Sequence, residues 1–91
     1  MTNRKKEPVD TANILYIYDL NASDRRKFNR TKRLFYYHMG RLPLKKEVWK
    51  TKSAFAVPPR MEKMVDMFFK RFGRSVVVYK AVVESIEELE N

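Results

Sequence analysis

The sequence predicts an α+β domain in which two helices cover one face of an antiparallel sheet. Three observations carry this. Two apolar segments rich in β-branched and aromatic residues, 12–19 and 75–83, lie towards the two ends of the chain. Two stretches with helical apolar spacing, about 24–39 and about 60–72, lie between them. An alternating segment, 47–57, separates the helices and stops at Pro58-Pro59. The 91 residues suffice for one compact domain with a modest core, which self-association would enlarge.

Residues 1–11 are polar and contain Pro8, and read as a flexible lead-in. In the strand at 12–19, Ile14, Tyr16 and Tyr18 share one face and Leu15 and Ile17 the other. Asn21 to Asp24 form a turn, with Ser23 suited to cap a helix and Asp24 suited to its positive end. On the helix from about 24 to 39, Phe28, Thr31, Leu34, Phe35, His38 and Met39 fall on one side. Arg26, Arg30, Arg33 and Tyr37 form a ridge on another. His38, at the edge of the apolar side, reads as a packed residue. Gly40 marks the stop.

Residues 41–46 make a basic connector around Pro43. The segment 47–57 is either one bent strand or two short paired ones. Its alternation sets Val48, Lys50, Lys52 and Ala54 against Trp49, Thr51, Ser53, Phe55 and Val57. The second helix carries the stripe Met61, Met64, Val65, Phe68, Phe69 and Phe72, which at this spacing is core, and Gly73 ends it. In the last strand Val76, Val78 and Val82 oppose Val77, Tyr79, Ala81 and Val83. Residues 84–91 form an acidic tail, suited to a helical turn or an extra edge segment. There is no internal repeat. With right-handed crossovers this order gives a ferredoxin-like βαββαβ sandwich over 12–83. Its first and last strands are apolar on both faces, so the open sheet face needs a cover, either a second copy of the chain or stacked bases.

Charge points to the partner. The chain has 20 Lys and Arg against 11 Asp and Glu, and four of those acids (Glu84, Glu87, Glu88 and Glu90) sit in the tail. The excess in the body suits a polyanion. It is also concentrated: six of the nine residues from Arg25 to Arg33 are Lys or Arg. Like charges this close repel, and near a helix N-terminus they oppose the macrodipole. A surface selected only for stability would avoid that cost, so the cluster argues for phosphate binding. Arg25, Arg26, Arg30 and Arg33 are the candidate contacts, with Tyr37 on the same ridge and Lys52 nearby. The acidic tail offers a separate means of docking on a basic protein surface.

Without cysteine there is no disulfide framework, zinc finger or thiol nucleophile. One histidine leaves little scope for His-based catalysis. No apolar run approaches the ~20 residues that span a bilayer, and residues 1–6 lack the apolar core of a signal peptide. The expectation is a cytoplasmic protein without a membrane partner.

The run Ile14-Leu15-Tyr16-Ile17-Tyr18-Asp19-Leu20, followed by Arg25-Arg26 and a basic helix, resembles the start of the CRISPR-associated Cas-two family. Thr51-Lys52-Ser53-Ala54-Phe55 resembles that family's Ser-x-Phe step. The resemblance spans about residues 14–83. It implies a ferredoxin-like fold, homodimers formed through the open sheet face, and a role in antiviral defence, with duplex DNA held on a basic surface. It also implies, for some members, metal-dependent endonuclease activity on RNA or DNA. There the strand-end Asp of each subunit meets its partner at the dimer axis and holds a divalent ion, which places catalysis and magnesium on Asp19. Two carboxylates and waters could hold Mg²⁺, which would polarise a phosphate and activate water. Asp19 reads equally as an acid that caps the next turn or pairs with Arg25 or Arg26. Three departures stand out: Asn21-Ala22 lengthens the turn, Ala56-Val57-Pro58 stands where a Gly is often found, and the tail is short.

Residues 15–20 also resemble the first motif strand of RNA-recognition-motif domains. Lys52-Ser53-Ala54-Phe55-Ala56-Val57 is a distorted echo of their other motif, without its glycine. That resemblance implies a non-enzymatic binder of single-stranded RNA or DNA, with Tyr16 and Phe55 exposed on the sheet to stack on bases.

Overall fold

In the computed structural model, which describes residues 11–21 and 25–89, the first strand, β1, covers Ile14–Leu20. Helix α1 covers Arg25–Met39. The strands β2 (Trp49–Thr51) and β3 (Ala54–Val57), helix α2 (Glu62–Lys70) and strand β4 (Val76–Val82) follow. The sheet order is β2-β3-β1-β4 with every pair antiparallel. Two β-α-β units are thus interleaved, each leaving room for one strand of the other. The architecture is α+β and consistent with the expected ferredoxin-like sandwich.

The faces follow from the register. Tyr16 pairs with Phe55 on β3 and Lys80 on β4, and Ile14 with Val57 and Val82. These residues, with Tyr18, Val76 and Val78, lie on the face that carries the helices. Leu15, Ile17 and Asp19 lie on the other face, opposite Ala81, Tyr79 and Val77. The helices contribute Phe35 and Met39 from α1 and Val65, Phe68 and Phe69 from α2 to one core. That core is largely aromatic: Phe55 stacks on Tyr16 at 5.4 Å between ring centres and meets Trp49 at 4.9 Å. Planar rings stacked in this way fill space with few voids, which suits a chain with little volume to bury.

The segment 47–57 resolves as two paired strands. Val48 lies in a 3₁₀ turn, Lys46–Val48, not in a strand. An irregularity between Trp49 and Thr51 breaks the expected alternation, so Trp49 faces Phe55 while Thr51 pairs with Ala54. The Thr51 hydroxyl accepts the Ser53 N–H at 3.1 Å and tightens the turn between them. The second helix begins at Glu62, two residues later than expected, because Pro59–Met61 forms a 3₁₀ turn first. Gly40 ends α1 without a left-handed backbone; the chain tightens instead through Arg41 N–H to His38 O and Leu42 N–H to Met39 O. Gly73 does adopt φ +51°, the conformation that favours glycine. The proposed caps Ser23 and Asp24 and the lead-in up to Asp10 lie outside the described residues. Residues 84–89 form neither a helical turn nor an edge strand and are exposed. Among the described residues, no helix is long and apolar enough to cross a membrane.

Candidate nucleic-acid interface

Helix α1 buries Phe35 and Met39 and half-buries Phe28, Thr31 and His38. At about 100° per residue, Arg26, Arg30, Arg33 and Tyr37 fall within roughly 60° of arc on the side opposite Phe35. All four are exposed. The ridge therefore points away from the sheet, along the outer surface of the helix layer. No acid occurs between Arg25 and Met39, so α1 itself offers a phosphate only positive and neutral groups.

The structure extends the ridge at both flanks. Arg41 donates from Nη1 to the Tyr37 hydroxyl at 3.0 Å, and its guanidinium lies 5.8 Å from the Tyr37 ring centre. With the hydroxyl accepting from Arg41, its own proton is left to donate to a phosphate oxygen. Arg41 was legible only as part of a basic connector; Gly40 hides that it completes an i, i+4 pair with Tyr37. On the other flank, Lys52 and Tyr36 border one shallow cavity with Trp49 and Thr51. The Tyr18 hydroxyl fixes this flank: it donates to Lys52 O at 3.1 Å and lies 3.2 Å from the Tyr36 hydroxyl. Arg25 is exposed at the start of α1.

Tyr16 and Phe55, which the RNA-recognition-motif resemblance places on an open sheet face, are instead both buried against the helices, Phe55 completely. The period of a strand shows that alternate residues share a face, but not which face the helices will cover. Neither ring can stack on a base.

The Tyr16 hydroxyl instead donates to Asp66 Oδ1 at 2.6 Å. Lys80 Nζ bonds Asp66 Oδ2 at 2.8 Å and Glu62 Oε2 at 2.6 Å. This network ties α2 to β1 and β4. Burial pushes the Tyr16 hydroxyl up, reinforced by its bond to Asp66, so it stays protonated. Burial also raises the Asp66 carboxyl, but the bonds from Lys80 and Tyr16 outweigh that and hold it below the ordinary carboxylate range. A carboxyl with a depressed pKa stabilises the fold above its unfolded-state value and loses that contribution as pH falls through its folded value. Thermal melts should therefore show stability falling below about pH 4 by an amount that Asp66→Asn reduces. Tyr16→Phe should cost about 1–3 kcal/mol at neutral pH, lowering Tm by several degrees.

Asp19 is exposed on the open face, whereas the α1 ridge lies on the outer side of the helices. The carboxylate and the ridge, adjacent in sequence, are thus not one site. Asp19 forms no ion pair with Arg25 or Arg26. Among the described residues no three His, Asp or Glu side chains gather where a metal ion could sit. One chain offers a single strand-end carboxylate, short of the pair that the Cas-two resemblance implies, so no step through a metal follows from its geometry.

Comparison with known proteins identifies no relative: no protein-family model, no curated protein and no solved structure matches the chain.

Proposed function

We propose that this chain is a nucleic-acid-binding protein that acts as a homodimer and holds duplex DNA on the outer surface of its helices. The observation that carries this reading is the exposed ridge Arg26, Arg30, Arg33 and Tyr37, opposite the buried side of a helix with no acidic residue. The short motifs at residues 14–20 and 51–55 that resemble the Cas-two family support it. Binding is mainly electrostatic: each phosphate neutralised releases counterions, and sequence preference is weak because the ridge offers few groups for reading base edges. Burial of Tyr16 and Phe55 removes the aromatic platform on which an RNA-recognition-motif reading depends. The test is anisotropy of labelled duplex and single-stranded DNA across a salt series. A steep fall in affinity with salt, and tighter binding of the duplex, are expected; affinity that does not respond to salt overturns the reading.

The dimer is assigned to the open sheet face. Ile17, Val77 and Tyr79 are exposed there, Tyr79 at 68%, beside Leu15 and Ala81. Sheet faces this apolar are covered in stable proteins. Analytical ultracentrifugation should show a dimer that Tyr79→Glu, placing a charge in the apolar contact, converts to monomer with the fold intact by circular dichroism. A monomeric wild type at working concentration rejects this assignment. The same dimer is required for Asp19 to meet a second copy of itself. Mg²⁺-dependent cleavage of labelled RNA or DNA that disappears in Asp19→Ala, with binding unchanged, would add nuclease activity to the scaffold role; equal cleavage by both proteins would point elsewhere.

A further inference from the structure

A second feature of the helix layer is not explained by phosphate binding. Between the C-terminal end of α1 and the outer side of α2 runs a groove of about 570 Å³. Its cations are Arg41, Arg60, Lys63 and Arg71, while Met64 and Met67 form part of its apolar lining. Met67 is 60% exposed although it sits mid-helix. A duplex backbone has no use for an apolar floor. A groove with methionines inside a cationic rim matches an acidic segment that carries apolar anchors, since methionine adapts its shape to such anchors.

The chain itself contains such a segment. Residues 84–89 place Ile86 and Leu89 three apart, with Glu84, Glu87 and Glu88 around them. Leu89 is 81% exposed, and the segment has no regular structure. Within its own chain this tail lies at the β2 edge, where Ile86, Glu87 and Glu88 border a cavity with Glu47, Trp49 and Lys50. Three acids there face one lysine. The groove offers the opposite balance, and the tail of the same chain is already placed elsewhere. We propose that the groove receives the acidic tail of a second copy of this chain, with Ile86 and Leu89 seated on the methionines and the glutamates on the cationic rim. This proposal does not depend on nucleic-acid binding by the α1 ridge.

The test uses the full chain and a fluorescent peptide of residues 84–91 added in trans. Saturable binding is expected. It should weaken at least tenfold when Lys63 and Arg71 are changed together to Glu, through like-charge repulsion. It should survive Arg26, Arg30 and Arg33→Gln, which lie outside the groove. A peptide with Ile86→Ser and Leu89→Ser keeps every charge and should bind at least tenfold more weakly; this arm leaves the protein unaltered, so misfolding cannot mimic the result. Equal binding of the two peptides would reduce the effect to charge alone and overturn the proposal. So would equal loss in the ridge variant, or no binding of the native peptide. Loss of peptide binding with DNA binding retained, or the reverse, separates this proposal from the nucleic-acid reading.

Discussion

Changing Arg26, Arg30 and Arg33 together to Gln is expected to weaken duplex DNA binding by about 10²–10³-fold at 0.1 M salt, through the counterions that three phosphate contacts release. The slope of log affinity against log salt should fall by about 2.7 for a duplex and about 2.1 for a single strand. The slope is the sharper readout, because a misfolded variant loses affinity without changing slope in this proportion. The fold should persist, since all three side chains are exposed and none packs into the core. Removing three mutually repelling charges next to the start of α1 should leave Tm unchanged or raise it slightly. Lower affinity with equal or higher stability is the signature of a helix face kept for binding. An unchanged slope would mean that phosphates lie elsewhere on the surface.

Phe55→Ala is expected to cost about 3–5 kcal/mol, as removal of a buried aromatic ring usually does. Domains of this size are stable by only about 5–15 kcal/mol, so the variant should melt tens of degrees lower or fail to fold. Phe55 is completely buried at the centre of the aromatic stack, beside Tyr16, Trp49 and Phe69. Deleting it leaves a cavity lined by rigid rings that cannot collapse into the space. The outcome also separates two roles for this residue. If Phe55 stacked on RNA from an exposed sheet, the variant would keep its Tm and lose binding. Chemical denaturation beside a binding assay distinguishes the two directly.

The elements themselves were legible because their signals are local. The apolar stripe Met61, Met64, Val65, Phe68, Phe69 and Phe72 has the helical period; Met61, Val65, Phe68 and Phe69 are buried and Phe72 half-buried, whereas Met64 is exposed and lines the groove with Met67, which lies off the stripe. The alternation of residues 14–18 separated the two faces of β1 correctly. The hairpin was only half legible. Alternation carried through 47–57 fails at the irregularity between Trp49 and Thr51, because the backbone, not the side-chain pattern, sets the phase there. For the candidate interface, the α1 ridge followed from spacing alone. Arg41 did not, since a glycine interrupts the helix before it. The groove did not either, since its cations come from three separated stretches: Arg41 after α1, Arg60 before α2, and Lys63 and Arg71 on and just beyond α2.

By itself, the sequence determined that this chain is basic, that its bases concentrate along one helix at a cost to that helix, and that strands and helices alternate in an order suited to an α+β sandwich. Periodicity states which residues share a face of their own element, and charge is additive along the chain. Only the tertiary structure decided which face of the sheet the helices cover. That choice buries Tyr16 and Phe55, leaves Ile17, Asp19 and Tyr79 on the open side, and separates Asp19 from the arginine ridge that follows it. The physical reason is that covering a sheet depends on how the crossovers pack in space, and no interval along one strand encodes it.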